Sequence, residues 1–142
     1  MELGPESARA RFEGAAVGRL ATVDGAGVPH LVPVTFVVDE DRLYFAVDHK
    51  PKSTWDLRRL RNIRENGRVA VLVDHYGDDW STLWWARADG WAEVWEDPVR
   101  REGPVSLLQA KYPQYRETVP AGPVVAIRVE RWSGWSFAAV AG

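Results

Sequence analysis

The 142-residue chain has no cysteine. That excludes a disulfide framework, a thiolate metal site and a cysteine nucleophile, and it is compatible with a reducing compartment. Histidine is scarce: His30, His49 and His75 lie far apart without HxxH or HExxH spacing, so no zinc site is expected. No stretch approaches the roughly 18 apolar residues that a membrane span requires. The opening Met1-Glu2-Leu3-Gly4-Pro5-Glu6 has no basic segment followed by an apolar one, so no signal peptide is expected. These absences predict a soluble, cytoplasmic protein. A dominant charge is missing as well. The net charge of −2 offers no general attraction to nucleic acid or anionic membrane, so any anion site must be local. There is no G-x-S-x-G, no Walker loop and no G-x-G-x-x-G, and nothing resembles a hydrolytic centre. No internal repeat, linker or low-complexity segment interrupts the chain, and residues 1–142 are read as one domain.

What the chain has in abundance is tryptophan. There are eight, five of them between Trp80 and Trp95. Within residues 82–95 alternate positions separate into two sets. Trp84, Ala86, Ala88, Gly90, Ala92 and Val94 make a mostly small apolar face; Trp85, Arg87, Asp89, Trp91, Glu93 and Trp95 make an aromatic and charged one. The first set suits the interior of a small barrel. The second points outward and predicts a partner surface or a ligand wall. A dimer interface without ligand is the simpler alternative, and the two coincide if the ligand sits at that interface.

The remaining pattern is largely β. Residues 17–23, 28–38 and 42–47 read as an antiparallel meander, with turn chemistry at 24–27 and 39–41. Pro29 and Pro33 put the second of these strands at an edge or bulge, leaving backbone groups near Pro33 for a ligand. Residues 69–73 form a continuous apolar strand, central in the sheet, and residues 123–129 run into a last strand through Trp132 and Trp135. The count is six strands. Helices are expected at 5–13, as a lid on one end of the core, and at 97–112, split at Gly103-Pro104. A further helix is capped within Ser53-Thr54-Trp55-Asp56, carries Trp55, Leu57, Leu60 and Ile63 at helical spacing, and stops at Asn66-Gly67.

Positive charge concentrates at this last helix. Between Lys50 and Arg68 seven Lys and Arg face two acids. The loop His49-Lys50-Pro51-Lys52-Ser53 leads into a helix N-terminus, where backbone N–H groups and the helix dipole attract a phosphate and the lysines and hydroxyls add charge-assisted hydrogen bonds. A solvated basic loop with an ordinary cap is the alternative. A β-rich domain with an anion loop, an aromatic outer face and no nucleophile suits a protein that holds a cofactor whose ring does the chemistry.

Three segments taken together resemble a known family. They are residues 27–36 (GVPHLVPVTF), the loop Lys50-Pro51-Lys52-Ser53 with residues 60–69 (LRNIRENGRV), and residues 85–92 (WARADGWA). In this order and spacing they resemble the pyridoxamine-phosphate-oxidase-like flavin-binding split barrels, and within them the coenzyme F420-dependent oxidoreductases of actinobacteria. The likeness runs from about Phe12 to Phe137. It implies a mainly β protein with flanking helices: a six-stranded antiparallel split β-barrel, forming a homodimer with cofactors at the interface. By position, Pro33, Val34 and Thr35 would line the ring and ribityl chain. Lys50, Lys52 and Ser53 would bind phosphate, with Arg58 and Asn62 as secondary candidates. Trp85 and Arg87 of the R-x-x-G strand would lie near the cofactor, and Trp132 and Trp135 would come from the other subunit.

Departures narrow the expectation. The arginine that opens the second-strand motif of flavin mononucleotide (FMN) oxidases, and the lysine that closes it, are replaced by His30 and the neutral Thr35-Phe36. Where an arginine would grip phosphorylated pyridoxine stands the run Ser136-Phe137-Ala138-Ala139-Val140, which argues against that substrate. The His-x-x-Pro-Val pattern looks more like the deazaflavin branch, whose longer anionic tail the basic helix would help to hold. The resemblance thus implies an F420-dependent reductase acting on an unsaturated small molecule, with no assigned catalytic side chain and no metal. The alternatives are an FMN-dependent oxidoreductase of the same fold, or a non-enzymatic module binding flavin or stacking single-stranded nucleic acid. The acidic balance stands against nucleic acid.

Overall fold

Most of the strands and helices that the apolar periods imply are present in the computed structural model, which describes residues 1–47 and 57–138. The strands are β1 (Glu2–Leu3), β2 (Gly18–Val23), β3 (Pro29–Val34), β4 (Val37–Asp39), β5 (Arg42–Ala46), β6 (Arg68–His75), β7 (Trp84–Trp95) and β8 (Val124–Ser136). The helices are α1 (Pro5–Glu13), α2 (Arg58–Glu65), α3 (Pro98–Lys111) and α4 (Gln114–Glu117). Neighbours pair antiparallel in the order β3-β2-β6-β7-β8-β5-β4, and β1 adds to β8. The result is a mainly antiparallel sheet with flanking helices, as expected. It has eight strands where six were counted, because β1 is a two-residue addition and residues 28–38 break into β3 and β4. The proline-bearing β3 is a terminal strand of the sheet and β6 is internal, both as the sequence implies.

The alternation of β7 holds. Ala86, Ala88, Gly90 and Ala92 are buried, while Trp85, Arg87 and Asp89 are half-buried and Trp91 and Glu93 exposed on the opposite face. Gly90 is required by close approach: a Cβ there would overlap the Arg128 carbonyl, at the point where the β7–β8 register shifts. Inside the curved sheet Leu20, Val71, Val73, Ala88, Ile127 and Val129 pack together, and Phe12 of α1 with Leu60 and Ile63 of α2 close this core. Phe12 meets Phe36 and Trp132 edge-on, with ring centroids 5.7 and 5.2 Å away. Its complete burial contributes about 2–3 kcal/mol. A second cluster lies outside the sheet, where Leu108 of α3 and Tyr115 of α4 cover Tyr44, Ala46, Val124 and Ala126.

Two helix expectations are corrected. Gly103-Pro104 does not split the helix, since α3 runs through both. Gly103 has no Cβ to meet the proline ring, so the usual pre-proline clash is relieved, and the Pro104 ring is buried. Leu57 is not helical: it caps α2 in extended conformation and turns into the core, and the first helical residue is Arg58. The N-cap is therefore Leu57, without a side-chain capping bond, and not a residue of Ser53-Thr54-Trp55-Asp56 as expected; those four lie outside the described residues. Among those described, no helix is long and apolar enough to cross a membrane.

Candidate functional site

The break between β3 and β4 makes a cleft. Val34 ends β3 opposite Gly18, and the chain turns at Thr35-Phe36 before β4. Three side chains from the distant end of α3 and from α4 hold this turn. The Thr35 and Tyr115 hydroxyls lie 2.7 Å apart. Tyr112 Oη accepts the Phe36 N–H at 3.0 Å and lies 2.8 Å from both the Phe36 and Ala16 carbonyl oxygens, between which its single proton is shared. Lys111 Nζ donates to the Phe36 carbonyl at 2.8 Å, with its ammonium 4.1 Å from the centre of the Phe36 ring. Burial lowers the Lys111 pKa to about 8 and raises that of Tyr112.

The cleft beside this turn measures about 260 Å³ and is lined by Val17, Pro33, Val34, Thr35, Phe45, Ala46, Arg59 and Tyr115. Its walls are apolar, with hydroxyls at one edge and a guanidinium from α2 at another. No carboxylate or imidazole lines it among the described residues. This donor set fits a flat, weakly polar ring carrying an anionic extension. Pockets for small-molecule ligands measure roughly 300–1,000 Å³, so the part of the cleft lined by the described residues lies just below that range. Among the described residues no group of His, Asp and Glu is placed to hold a metal ion.

Pro33, Val34 and Thr35 line the cleft together, and the other described candidates lie away from it. Lys50, Lys52 and Ser53 lie outside the described residues; Ala46 and Arg59, which precede and follow them in the chain, both line the cleft. Arg58 is exposed and acts on the β2–β3 turn instead. There the Asp24 carboxyl is held below its usual pKa first by the Val28 N–H, opposed by desolvation, then by the Ala26 N–H and the charge of Arg58. Asn62 is 3% exposed, and its amide donates to Thr22 Oγ1 at 3.0 Å, so it joins α2 to β2 away from the cleft. Trp132 faces inward against Phe12, whereas Trp135, three residues on, faces outward directly opposite Trp85. Arg87 donates to Asp89 Oδ2 at 3.0 Å and lies 5.7 Å from the Trp85 ring centre.

Trp85, Arg87 and Trp135 thus form a separate outer-face patch. Opposite Arg87 stands Ser133, whose buried hydroxyl has no hydrogen-bond partner among the described residues. In register, Pro33, Arg19, Leu72 and Arg87 follow one another across β3, β2, β6 and β7. Three interstrand steps separate Pro33 from Arg87 by roughly 14 Å, which keeps cleft and patch apart within one chain.

Sequence reasoning missed Arg59 and Tyr115. The signal for Arg59 was available: with Leu60 and Ile63 on the buried side of α2, the neighbouring positions flank the core, and Arg59 is half-buried where Arg58 is exposed. Tyr115 belongs to the run Lys111-Tyr112-Pro113-Gln114-Tyr115, whose aromatic and basic content at a helix end was the available clue.

Comparison with known proteins places this geometry in a family. The pattern of the pyridoxamine 5'-phosphate oxidase family matches residues 5–136. The 5a,11a-dehydrotetracycline/5a,11a-dehydrooxytetracycline reductase of Streptomyces rimosus is 44% identical over 57 residues, which is 40% of this chain and only 39% of that protein. A FAD-binding protein of Mesorhizobium loti superposes with a TM-score of 0.72 at 22% identity, over 94% of this chain and 95% of its own. A protein of Mycobacterium tuberculosis superposes with a TM-score of 0.77 at 20% identity, over 99% and 93%. These structures share the split-barrel fold. With sequence pattern and fold in agreement over nearly its whole length, the chain belongs to the pyridoxamine 5'-phosphate oxidase family, whose fold binds flavins and whose members include oxidoreductases.

Proposed function

We propose that the protein is an F420-dependent reductase that transfers hydride from reduced deazaflavin to an unsaturated or conjugated small molecule, working as a cytoplasmic homodimer. The observation that carries this reading is the cleft itself: apolar walls, a guanidinium and paired hydroxyls, with no base or nucleophile among its described lining residues. A bound deazaflavin supplies the hydride chemistry. The protein's part is to orient, anchor and dry the site.

Pro33 and Val34 provide a flat wall, and Val17, Phe45 and Ala46 exclude water on the other sides. Thr35 directs a hydroxyl to the ring edge, fixed by Tyr115, and Arg59 offers positive charge to the anionic extension. Lys50, Lys52 and Ser53 are proposed to take the phosphate. The roughly 14 Å between cleft and outer patch supports a site completed by a second copy, with Trp135 and its neighbours reaching the partner's cofactor. Trp132, packed on Phe12, would help to hold that strand in place. His30 and Thr35-Phe36, where FMN oxidases carry arginine and lysine, favour deazaflavin over FMN. The partial likeness to a reductase of dehydrotetracyclines favours reduction of a conjugated substrate.

Titration of the purified protein with F420 and with FMN, followed by fluorescence, tests the assignment. Saturable F420 binding, weakened by Lys52→Ala without loss of fold, is the expected result. Tight FMN binding with no response to F420 would make it an FMN oxidoreductase instead. Unchanged F420 affinity in Lys52→Ala would remove the phosphate-loop assignment.

A further inference from the structure

A second groove, of about 330 Å³, lies on the outer face beside α3 and is lined by Arg42, Trp91, Glu93, Trp95, Ala126 and Arg128. It shares no lining residue with the cleft at Thr35. Three of its lining residues stand directly opposite one another on adjacent strands, Trp91 on β7, Arg128 on β8 and Arg42 on β5, and beyond the groove Arg68 on β6 stands opposite Trp91.

Like charges placed directly opposite on one sheet face repel, and Arg42 and Arg128 are such a pair. Arg42 has Asp39 as its opposite residue on β4. Arg128, by contrast, is exposed and makes no ion pair or side-chain hydrogen bond among the described residues. Positive charge also faces both indoles. The Arg68 guanidinium lies 4.5 Å from the Trp91 ring centre, and that of Arg100 lies 5.3 Å from Trp95. Glu93 is the carboxylate that lines the groove, and its Oε2 accepts the Trp95 Nε1–H at 3.1 Å. Trp91 remains 37% exposed, with its six-membered ring resting over Gly67.

On an acidic protein, a half-open groove with two arginines and two indoles matches a ligand that combines a flat apolar ring with one planar anionic group. A guanidinium fits a carboxylate through two parallel hydrogen bonds, and indole surfaces take up an aromatic ring. We propose that this groove binds a planar aromatic carboxylate, with the carboxylate on Arg128 and Arg42 and the ring against Trp91 and Trp95. A carboxylate there relieves the Arg42–Arg128 repulsion, and the opening toward solvent admits a molecule of one or two fused rings.

The test is a titration of the full chain, ¹⁵N-labelled at its indoles, with 2-naphthoate, with neutral 2-naphthamide and with acetate. The Trp91 and Trp95 signals are assigned through Trp91→Phe and Trp95→Phe. Naphthoate is expected to shift both signals saturably, and acetate and naphthamide to do so far more weakly. Arg128→Gln, at an exposed position, should weaken naphthoate about tenfold or more, Arg42→Gln should weaken it too, and F420 titration should be unchanged in both variants. Equal binding of the amide, full retention in Arg128→Gln, or no saturable shift at millimolar naphthoate would each overturn the proposal. The F420 arm reports on the proposed cofactor site, none of whose assigned residues lines this groove, so failure of one site is read separately from failure of the other.

Discussion

The hydroxyls of Thr35 and Tyr115, 80 positions apart in the chain, meet at 2.7 Å on the edge of the cleft. A phenol is more acidic than an aliphatic hydroxyl, so Tyr115 is the better donor of the two. Either hydroxyl can donate, and where Tyr115 does, the Thr35 hydroxyl keeps its own proton for an acceptor in the cleft. Tyr115→Phe and Thr35→Val are each expected to weaken F420 binding, by about 1 kcal/mol as for one ordinary hydrogen bond. The double variant should be little worse than either single one, because the two groups act as a unit. Additive losses in the titration would show that the pair does not act together.

Asn62 illustrates how one side chain carries a structural duty where a binding duty was expected. Its amide donates to Thr22 inside the protein, so Asn62→Ala removes the partner of a buried hydroxyl. The expected cost is about 2 kcal/mol of unfolding free energy, measured by urea titration. Cofactor affinity of the folded fraction should stay unchanged. A stable variant with lost affinity would restore Asn62 to the binding site.

The parts of the fold readable in advance are those that local chemistry dictates. The two faces of β7 follow from strict alternation of Ala86, Ala88, Gly90 and Ala92 with Trp85, Arg87 and Asp89, and the edge position of β3 follows from prolines that cannot donate to a ladder. The break at Thr35-Phe36 was not readable, because residues 28–38 are rich in β-branched types throughout and the turn is held by Lys111 and Tyr112, 75 and 76 positions away. Distance in sequence likewise hid Tyr115. Pro33, Val34 and Thr35 were named from the resemblance and, being contiguous, line the cleft together, whereas Arg58 and Asn62, named the same way, were assigned without knowledge of which helix face is buried. A three-residue spacing on a strand puts Trp132 and Trp135 on opposite faces, and that much was available from the alternation rule.

At Gly90 the β8 backbone leaves no room for a side chain. A Cβ at this position overlaps the Arg128 carbonyl and presses on Val129 Cα, both backbone atoms that cannot rotate away. Gly90→Ala should therefore cost about 3 kcal/mol and lower the urea midpoint. Gly14→Ala, in right-handed helical conformation with only an ordinary contact for the added methyl, should leave it nearly unchanged. Equal midpoints for the two variants would mean that the β7–β8 register relaxes freely.

Lys111 links the cleft turn to pH. Burial lowers its pKa from 10.5 to about 8 in the folded protein, so between these values the unfolded chain binds the extra proton. Stability rises with pH wherever the unfolded state holds more protons. The penalty for burying the charged amine is therefore fully present below pH 8 and relieved as pH climbs from about 8 toward 10.5. Tyr44 and Tyr112 act in the opposite sense, because burial raises both pKa values and the unfolded phenols ionise first, near pH 10. Stability should thus increase from pH 8 to just below 10 and then fall. In Lys111→Met the lysine contribution to the rise disappears while the fall above pH 10 remains. The neutral amine still donates to the Phe36 carbonyl, so the turn keeps its shape as the charge is lost. Urea unfolding across this range, wild type against Lys111→Met, measures the difference directly. Parallel curves for the two proteins would place the Lys111 ammonium in water, outside the clamp on Phe36.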